Sequence, residues 1–328
     1  MELRQVKGNT WYLEGAQLIP LYKVDETHCI LLDSGRSGDR TGILAALEQA
    51  KLTPVGIIGT HMHYDHHEND SFFRKKFGLE VALPLGEAEI CRSRATLKNH
   101  LFNFSPGLIA TQERLKNLIC VIDRPILPEE AEITFQGANF GIIHTPGHSP
   151  DHICIVTPDN VCHVGDVLMT KEDLAVSKIP FVFDLKEDLA SKERMKTLCC
   201  DAYILSHSGV VAGPLDDLAD ANIQAVLDTC SLFASLVDRV MTYSDAYDRM
   251  AQAVGLHPGH PVRAQHVERY LRPYLEYLAD EGEIRFADGG GAPRVGPQEP
   301  GQPAESVWGM GILNHPVSRE TPAKEVEA

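Results

Sequence analysis

THMHYDHHEND, at residues 60–70, is the stretch that decides how the rest of this chain is interpreted. Side chains alternate in direction along an extended chain, so His61, His63 and Asp65 could face one point. His66 would join them if the chain turned into a helix directly afterwards. Neutral imidazole and carboxylate are natural zinc ligands, at about 2.0–2.2 Å. The stretch therefore predicts a metal site in preference to a solvated histidine-rich loop.

Three more candidate ligands each follow an apolar segment that predicts a strand. They are His148 in HTPGH, Asp166 in HVGD and His207 in LSHSG. Loops at strand ends are where mixed α/β folds gather active-site groups, although each residue alone would be an ordinary core, surface or turn residue. Together with the first stretch they predict one metal site with seven ligands: His61, His63, Asp65, His66, His148, Asp166 and His207.

Composition and charge describe an ordinary globular protein with an acidic surface. Of the 328 residues, 43% are apolar and 23% are charged, and the net charge is −16. A general nucleic-acid binder would normally be basic, so this charge argues against broad phosphate binding and against anionic membranes. It leaves room for a small, locally basic pocket. A small-molecule substrate is the expected partner, with a homo-oligomer possible.

The chain carries no signal for a membrane or an oxidising compartment. No apolar run approaches the ~20 residues of a membrane span, and the N-terminus lacks the apolar centre of a signal peptide. The eight cysteines are scattered and form no CxxC pair, which predicts reduced, buried thiols. A cytoplasmic location is expected.

Three regions follow one another along the chain. Residues 1–214 alternate predicted strands and helices and hold every candidate ligand. Residues 215–287 predict three helices and a short strand, and we expect them to shape the substrate pocket beside the metals. Tyr270, Tyr274 and Tyr277 fall on helical spacing, and they either contact that pocket or only fill the core. Residues 288–328 are rich in Gly, Pro and Glu and predict a largely disordered tail, within which the apolar patch 307–313 could dock on the body or on a partner.

The order HMHYDH, TPGH, GD and SH resembles the metallo-β-lactamase superfamily, with a strand-turn DSG before the first motif. The similarity runs from about residue 10 to residue 212. It implies an α+β fold, an αββα sandwich of two facing sheets with helices outside and metals at one edge. The C-terminal helices resemble the small helical or winged-helix appendage of glyoxalase II-like members and of a related endoribonuclease branch.

The resemblance also implies how the ligands divide between two metals. His61, His63 and His148 would bind the first, Asp65, His66 and His207 the second, and Asp166 both. Histidine at position 63 is typical of the hydrolytic type of site. The metals would be zinc by default, with iron or manganese as alternatives.

HENDS, at residues 67–71, departs from the commonest family pattern, which places two glycines after this motif. His67 could reach the pocket, but we expect it not to be a ligand. His144, His152 and His163 are predicted to support the site structurally.

The resemblance implies a dinuclear hydrolase that uses a metal-bridging hydroxide, with Asp65 orienting the nucleophile and accepting its proton. The favoured substrate is a small ester, lactone or thioester. The alternatives are an endoribonuclease or phosphodiesterase of the same fold and an iron-dependent oxidoreductase resembling persulfide dioxygenases. A non-enzymatic binding protein is disfavoured because all seven ligand positions are filled.

Overall fold

The computed structural model describes residues 1–100, 113–257, 259, 261–287 and 293–298, and its centre is two facing β-sheets. The seven strands of the first sheet lie in chain order across it. These strands are β1 (Glu2–Lys7), β2 (Thr10–Glu14), β3 (Ile19–Lys23), β4 (His28–Leu32), β5 (Thr53–Ile58), β6 (Glu80–Pro84) and β7 (Arg124–Ile126).

The second sheet contains six strands in the order β13-β12-β11-β10-β9-β8. These are β8 (Glu132–Phe135), β9 (Ala138–His144), β10 (Ile153–Val156), β11 (Val161–His163), β12 (Ala202–Leu205) and β13 (Gly209–Val211). Strands β4 to β7 of the first sheet are parallel, and so are β11 and β12 of the second. Parallel neighbours end at the same sheet edge, which brings the loops after them together.

Alternating side chains on the central strands fill two separate layers of core. Ile30 and Leu32 of β4 pack with Phe140 of β9 between the two sheets. Leu31, between them in sequence, packs on the opposite face with Ile43 of the first helix. Successive side chains of β4 point to opposite faces of the sheet, and both faces are buried. Every residue of the run CILL is therefore apolar.

Helices cover the outer faces of both sheets, so the expected αββα sandwich and α+β class are confirmed. Among the described residues before 215, the α-helices are α1 (Arg40–Gln49), α2 (Tyr64–His67), α3 (Asp70–Phe77), α4 (Leu85–Cys91), α5 (Arg94–His100), α6 (Glu113–Asn117), α7 (Lys171–Val176) and α8 (Leu185–Met195).

The C-terminal segment adds three helices and a small sheet. The helices are α9 (Asp216–Leu236), α10 (Tyr243–Ala253) and α11 (Pro261–Asp280). The strands are β14 (Met241–Thr242), β15 (Ile284–Ala287) and β16 (Arg294–Pro297), in the order β14-β16-β15. Within the described residues, no helix is both long enough and apolar enough to cross a membrane.

One apolar core attaches this segment to the rest of the protein. Phe233 of α9 and the fully buried Tyr274 and Leu278 of α11 share a cluster with Val182 and Leu185. The last two belong to the loop before α8 and to its first turn. The C-terminal helices therefore pack on the rest of the protein through residues that are not candidate metal ligands.

Strand β16 differs from the tail expected at residues 288–328. Its Val295 is fully buried and pairs with Met241 of β14 and Phe286 of β15. One partner strand on each side supplies the backbone hydrogen bonds of β16. A strand of four residues is too short to show a hydrophobic period, so the sequence did not predict it. The remainder of the expected tail, including the apolar patch 307–313, lies outside the described residues.

The eight cysteines are free thiols, as expected, but they are not all buried. Cys199 is exposed and Cys200 is half-buried, because both lie in the loop before β12. The buried ones are Cys29, Cys91, Cys120, Cys154, Cys162 and Cys230.

Candidate metal centre

Loops that follow strands of both sheets meet at one edge of the sandwich and carry the seven candidate ligands. Residues 61 and 63 follow β5, and α2 begins directly afterwards at Tyr64. This helical turn brings His66 back toward His61, with ring centroids 4.2 Å apart. The loops after β9, β11 and β12 supply the other three ligands. The structure thus brings all seven side chains together.

His61, His63 and His148 form the first trio. Nδ1 of His63 lies 3.0 Å from Nε2 of His61 and 3.1 Å from Nε2 of His148. Burial is the largest cause that lowers the pKa of each of the three imidazoles. Neutral imidazoles with converging nitrogens are the form that binds a metal ion.

Asp65, His66 and His207 form the second trio, whose ligand atoms lie within 4.8 Å of one another. Nε2 of His207 is 3.6 Å from Oδ2 of Asp65. Nε2 of His66 is buried and makes no hydrogen bond in the described part of the chain. This nitrogen therefore points into the site, 3.2 Å from Oδ2 of Asp166 but without a hydrogen bond of good geometry.

Asp166 lies between the two trios. Its Oδ2 is 3.2 Å from Nε2 of His66, 3.6 Å from that of His148 and 4.0 Å from that of His61. Its Oδ1 is 3.4 Å from Nε2 of His207. Burial would raise the pKa of this carboxyl, but the surrounding histidines, His66 first, lower it well below its usual value. One carboxylate thus contacts ligands of both trios.

This donor set fits two divalent metal ions. Each trio offers three atoms, and the carboxylate between them can serve both groups, as a dinuclear site requires. Oδ1 of Asp166 and Nε2 of His66 are buried without a hydrogen-bond partner among the described residues. Buried polar atoms normally have partners, and bound cations would supply them here.

Asp33, in the turn after β4, holds His66 from behind. Its Oδ2 accepts hydrogen bonds from Nδ1 of His66 and Nε2 of His163, each at 2.8 Å. The backbone N–H of Thr60 donates to Oδ1 at 2.7 Å. With its proton on Nδ1, His66 presents Nε2 to the site. The sequence identified this aspartate only as part of a turn.

His152 and His163 support the site and do not join the trios. Nε2 of His152 accepts the backbone N–H of Asp166 at 3.2 Å, and its Nδ1 contacts Thr145 Oγ1 at 2.8 Å. The ring of His144 instead lies 3.1 Å from the carbonyl of Glu130. Each position therefore has a hydrogen-bond role outside the ligand set.

Glu87 of α4 connects the two loops that carry the first trio, a role that sequence reasoning missed. Its Oε2 accepts the backbone N–H of Met62 at 3.1 Å, between the two histidines. Its Oε1 accepts Ser149 Oγ at 2.6 Å and the N–H of Asp151 at 3.0 Å, beside His148. The side chain is fully buried, so the loops share one anchor.

The side chains of the HENDS stretch make structural contacts and do not join the two trios. Nδ1 of His67 lies 2.6 Å from Oδ2 of Asp70, and both residues are buried away from the trios. Glu68 accepts the N–H of Ser37 at 2.8 Å. The amide of Asn69 donates to the carbonyls of residues 34, 35 and 36. These side chains fasten α2 to the turn that carries Asp33.

An aromatic wall borders the first trio. The Phe181 ring lies 5.2 Å from that of His63 and 5.4 Å from that of His148. Tyr270 of α11 packs on Phe181 at 4.7 Å and is 39% exposed. Tyr274 and Tyr277, by contrast, pack in the C-terminal core, as the alternative interpretation of these tyrosines predicted. As expected, the C-terminal helices lie beside the candidate metal positions, through Tyr270.

Comparison with known proteins places these features in a family. The sequence pattern described as the metallo-β-lactamase superfamily matches residues 12–207, more than half of the chain. That range spans all seven candidate ligands.

Individual relatives are distant. The hydroxyacylglutathione hydrolase GloC of Haemophilus influenzae is 29% identical over 187 residues, which cover 56% of this chain and 81% of GloC. An atrochrysone carboxyl ACP thioesterase of Emericella nidulans is 24% identical over 251 residues, covering 76% of this chain and 69% of the relative.

Solved structures share the fold across most of the chain. A metallo-β-lactamase family protein of Thermus thermophilus superposes with a TM-score of 0.64 at 21% identity, covering 86% of this chain and 93% of its own. A β-lactamase domain protein of Burkholderia ambifaria gives a TM-score of 0.66 at 16% identity, covering 90% and 94%.

Proposed function

The chain belongs to the metallo-β-lactamase superfamily and is a metal-dependent hydrolase, and we propose that it hydrolyses small thioesters at a site for two divalent metal ions. The position of Asp166 carries the dinuclear part of this proposal. A carboxylate with one oxygen among His61, His66 and His148 and the other beside His207 is placed to serve two ions.

The proposed ligand assignment follows the two trios. One ion would be held by His61, His63 and His148, and the other by the second trio, with Asp166 shared. Zinc is the default metal for imidazole and carboxylate ligands, and iron or manganese could replace it. When bound, the two ions would lower the pKa of a water molecule and polarise the substrate carbonyl.

Asp65 is the candidate group for orienting the nucleophile and accepting its proton. Its Oδ2 lies 3.6 Å from Nε2 of His207 and 3.7 Å from the Arg36 guanidinium. The side chain is 14% exposed, so it can be reached from the open side of the site. The proton would move from the attacking water to this carboxylate.

A thioester is the favoured member of the small carbonyl substrates. GloC is named for hydrolysis of hydroxyacylglutathione, a thioester, and the relative from Emericella is named an ACP thioesterase. The acidic net charge of −16 and the aromatic wall of Phe181 and Tyr270 favour a small acyl compound over RNA.

A substrate panel with metal analysis tests this function. The protein loaded with zinc, iron or manganese is assayed on thioesters, esters, lactones, RNA and a persulfide, and metal content is measured alongside. We expect about two metals per chain and the highest kcat/KM on a thioester, with activity lost after chelation and restored by metal.

Two matched variants complete the test. His148→Ala should lose one metal and most activity, whereas His28→Ala, an exposed histidine paired with Asp25, should keep both. One metal at full loading would contradict the dinuclear site. RNA cleavage or oxygen consumption that exceeds thioester hydrolysis would contradict the proposed reaction.

A further inference from the structure

Arg269 of α11 lies on the same aromatic ring that borders the first trio. Its guanidinium carbon is 5.4 Å from the centroid of Phe181, the ring that contacts His63 and His148. Its Nη2 donates to Nε2 of His100 at 2.9 Å. A single phenylalanine therefore separates a guanidinium from the candidate metal ligands.

This guanidinium lacks a carboxylate partner in the part of the chain that the structure describes. Glu87 is near enough to favour its charge, but the oxygens of Glu87 already accept three other hydrogen bonds. Burial is the main cause that lowers the pKa of Arg269. A cation that is partly removed from water without a counter-charge is unfavourable, and a bound anion would offset that cost.

Other arginines of the protein show the contrast. Arg272, one turn further along α11, pairs with Glu276 at 3.0 Å, and Arg74 makes two hydrogen bonds to Asp123. Arg36 lies 3.7 Å from Asp65. Arg269 instead has a neutral acceptor, His100, whose pKa is lowered to about 3 by burial and by Arg269 itself.

We propose that Arg269, with His100, binds an anionic group of the substrate, so that the preferred substrates are thioesters with a carboxylate a few atoms from the scissile carbonyl. The planar guanidinium matches a carboxylate with two parallel hydrogen bonds. Phe181 and Tyr270 contact the apolar atoms between the carboxylate and the carbonyl. In a chain of net charge −16, such a local cation also favours the approach of an anion to this part of the surface.

A pair of substrates that differ only in charge tests this inference. The probes are 3-(acetylthio)propionate and its neutral amide, 3-(acetylthio)propionamide, assayed with the metal-loaded protein. We expect the wild type to favour the anionic probe by about tenfold or more in kcat/KM, chiefly through a lower KM. Equal kcat/KM values for the two probes would overturn the inference.

Variants at residue 269 then locate the preference. Arg269→Gln should lower kcat/KM about 30-fold on the anionic probe and less than about threefold on the neutral one. Arg269→Lys keeps the charge but not the planar guanidinium. Its preference for the anionic probe should lie between those of the wild type and Arg269→Gln. Arg272→Gln, the control on the same helix, should retain the preference. Equal losses on both probes in Arg269→Gln would mean that the residue only supports the fold.

The kinetic arm rests on the proposed thioester hydrolysis, so a binding arm separates the two. Calorimetry measures N-acetyl-β-alanine and its amide, which carry nitrogen in place of the thioester sulfur and stay intact. The acid should bind at least about tenfold more tightly to the wild type and lose that advantage in Arg269→Gln. This result without thioester turnover would contradict only the reaction. Turnover without a charge preference in binding would contradict only the anion site.

Discussion

Oδ2 of Asp33 lies 2.8 Å from Nδ1 of His66, and this contact determines which nitrogen of the histidine faces the candidate metal positions. Asparagine at position 33 would replace one carboxylate oxygen with an amide nitrogen, so either Thr60 or the histidines lose their acceptor. We expect Asp33→Asn to weaken binding of the second metal by about 10–100-fold, measured by metal titration. Asp25→Asn, in an exposed turn, is the control. Unchanged affinity for both metals would contradict this role.

Glu87→Ala should affect the first metal instead. It leaves Ser149 and the N–H groups of Met62 and Asp151 without their acceptor. We expect a loss of about 1–3 kcal/mol in the free energy of unfolding and weaker binding of one metal. Glu87→Gln keeps one oxygen and should recover part of both. Glu89→Ala, an exposed neighbour, should change neither, and a normal metal affinity in Glu87→Ala would refute the anchoring role.

Asp65→Asn should disable the reaction. The amide keeps the size of the side chain but loses the charge that accepts a proton, so kcat should fall at least about 10²-fold. The second metal should also bind less tightly. Steady-state kinetics on the best thioester, with metal content measured in each preparation, decides the matter. Full activity with two metals bound would exclude Asp65 as the proton acceptor.

His67→Ala should act on stability and leave the chemistry largely intact. It strands the buried carboxylate of Asp70, which costs about 3–5 kcal/mol when such a pair is broken. Asp70→Asn in the same chain should recover part of the loss. Urea unfolding measures both, and kcat of the folded protein should fall less than tenfold, or about 1.4 kcal/mol of barrier. A larger kcat loss with metals retained would assign His67 to the chemistry.

Two truncations separate β16 from the residues beyond it. Ending the chain after Ala287 removes β16 and exposes the core around Val295, so the free energy of unfolding should fall by about 1.5–3 kcal/mol or more. Ending it after Gln298 keeps the strand and should leave the melting temperature within about 2 °C. If both truncations melt alike, β16 contributes little to stability.

Much of the site could be predicted because its ligands stand at short spacing after apolar strands. Alternation correctly predicted that His61 and His63 would face one point, but the helix that begins at Tyr64 places Asp65 with His66 in the second trio. The layered fold was predicted from the resemblance that these motifs show to the metallo-β-lactamase superfamily. These signals are local, and a single sequence displays them.

The supporting roles of Asp33 and Glu87 could not be predicted, because they depend on contacts between distant segments. Asp33 contacts His163, 130 positions away, and Glu87 contacts Ser149 across 62. In the sequence each is one of 46 acidic residues. Arg269 stands on a helix with no motif, and only its place beside Phe181 makes it notable. Strand β16 was missed because both of its partners come from outside its own segment.

Because α11 lies beside the site, the candidate metal ligands and the proposed substrate contacts belong to different parts of the chain. Every candidate ligand precedes residue 208, whereas Arg269 and Tyr270 lie on α11, which packs in the C-terminal core one turn further along through Tyr274. Changes at residues 269 and 270 can therefore accumulate among descendants without touching a candidate ligand. A lineage of such proteins can exchange one substrate for another while its metal centre stays the same.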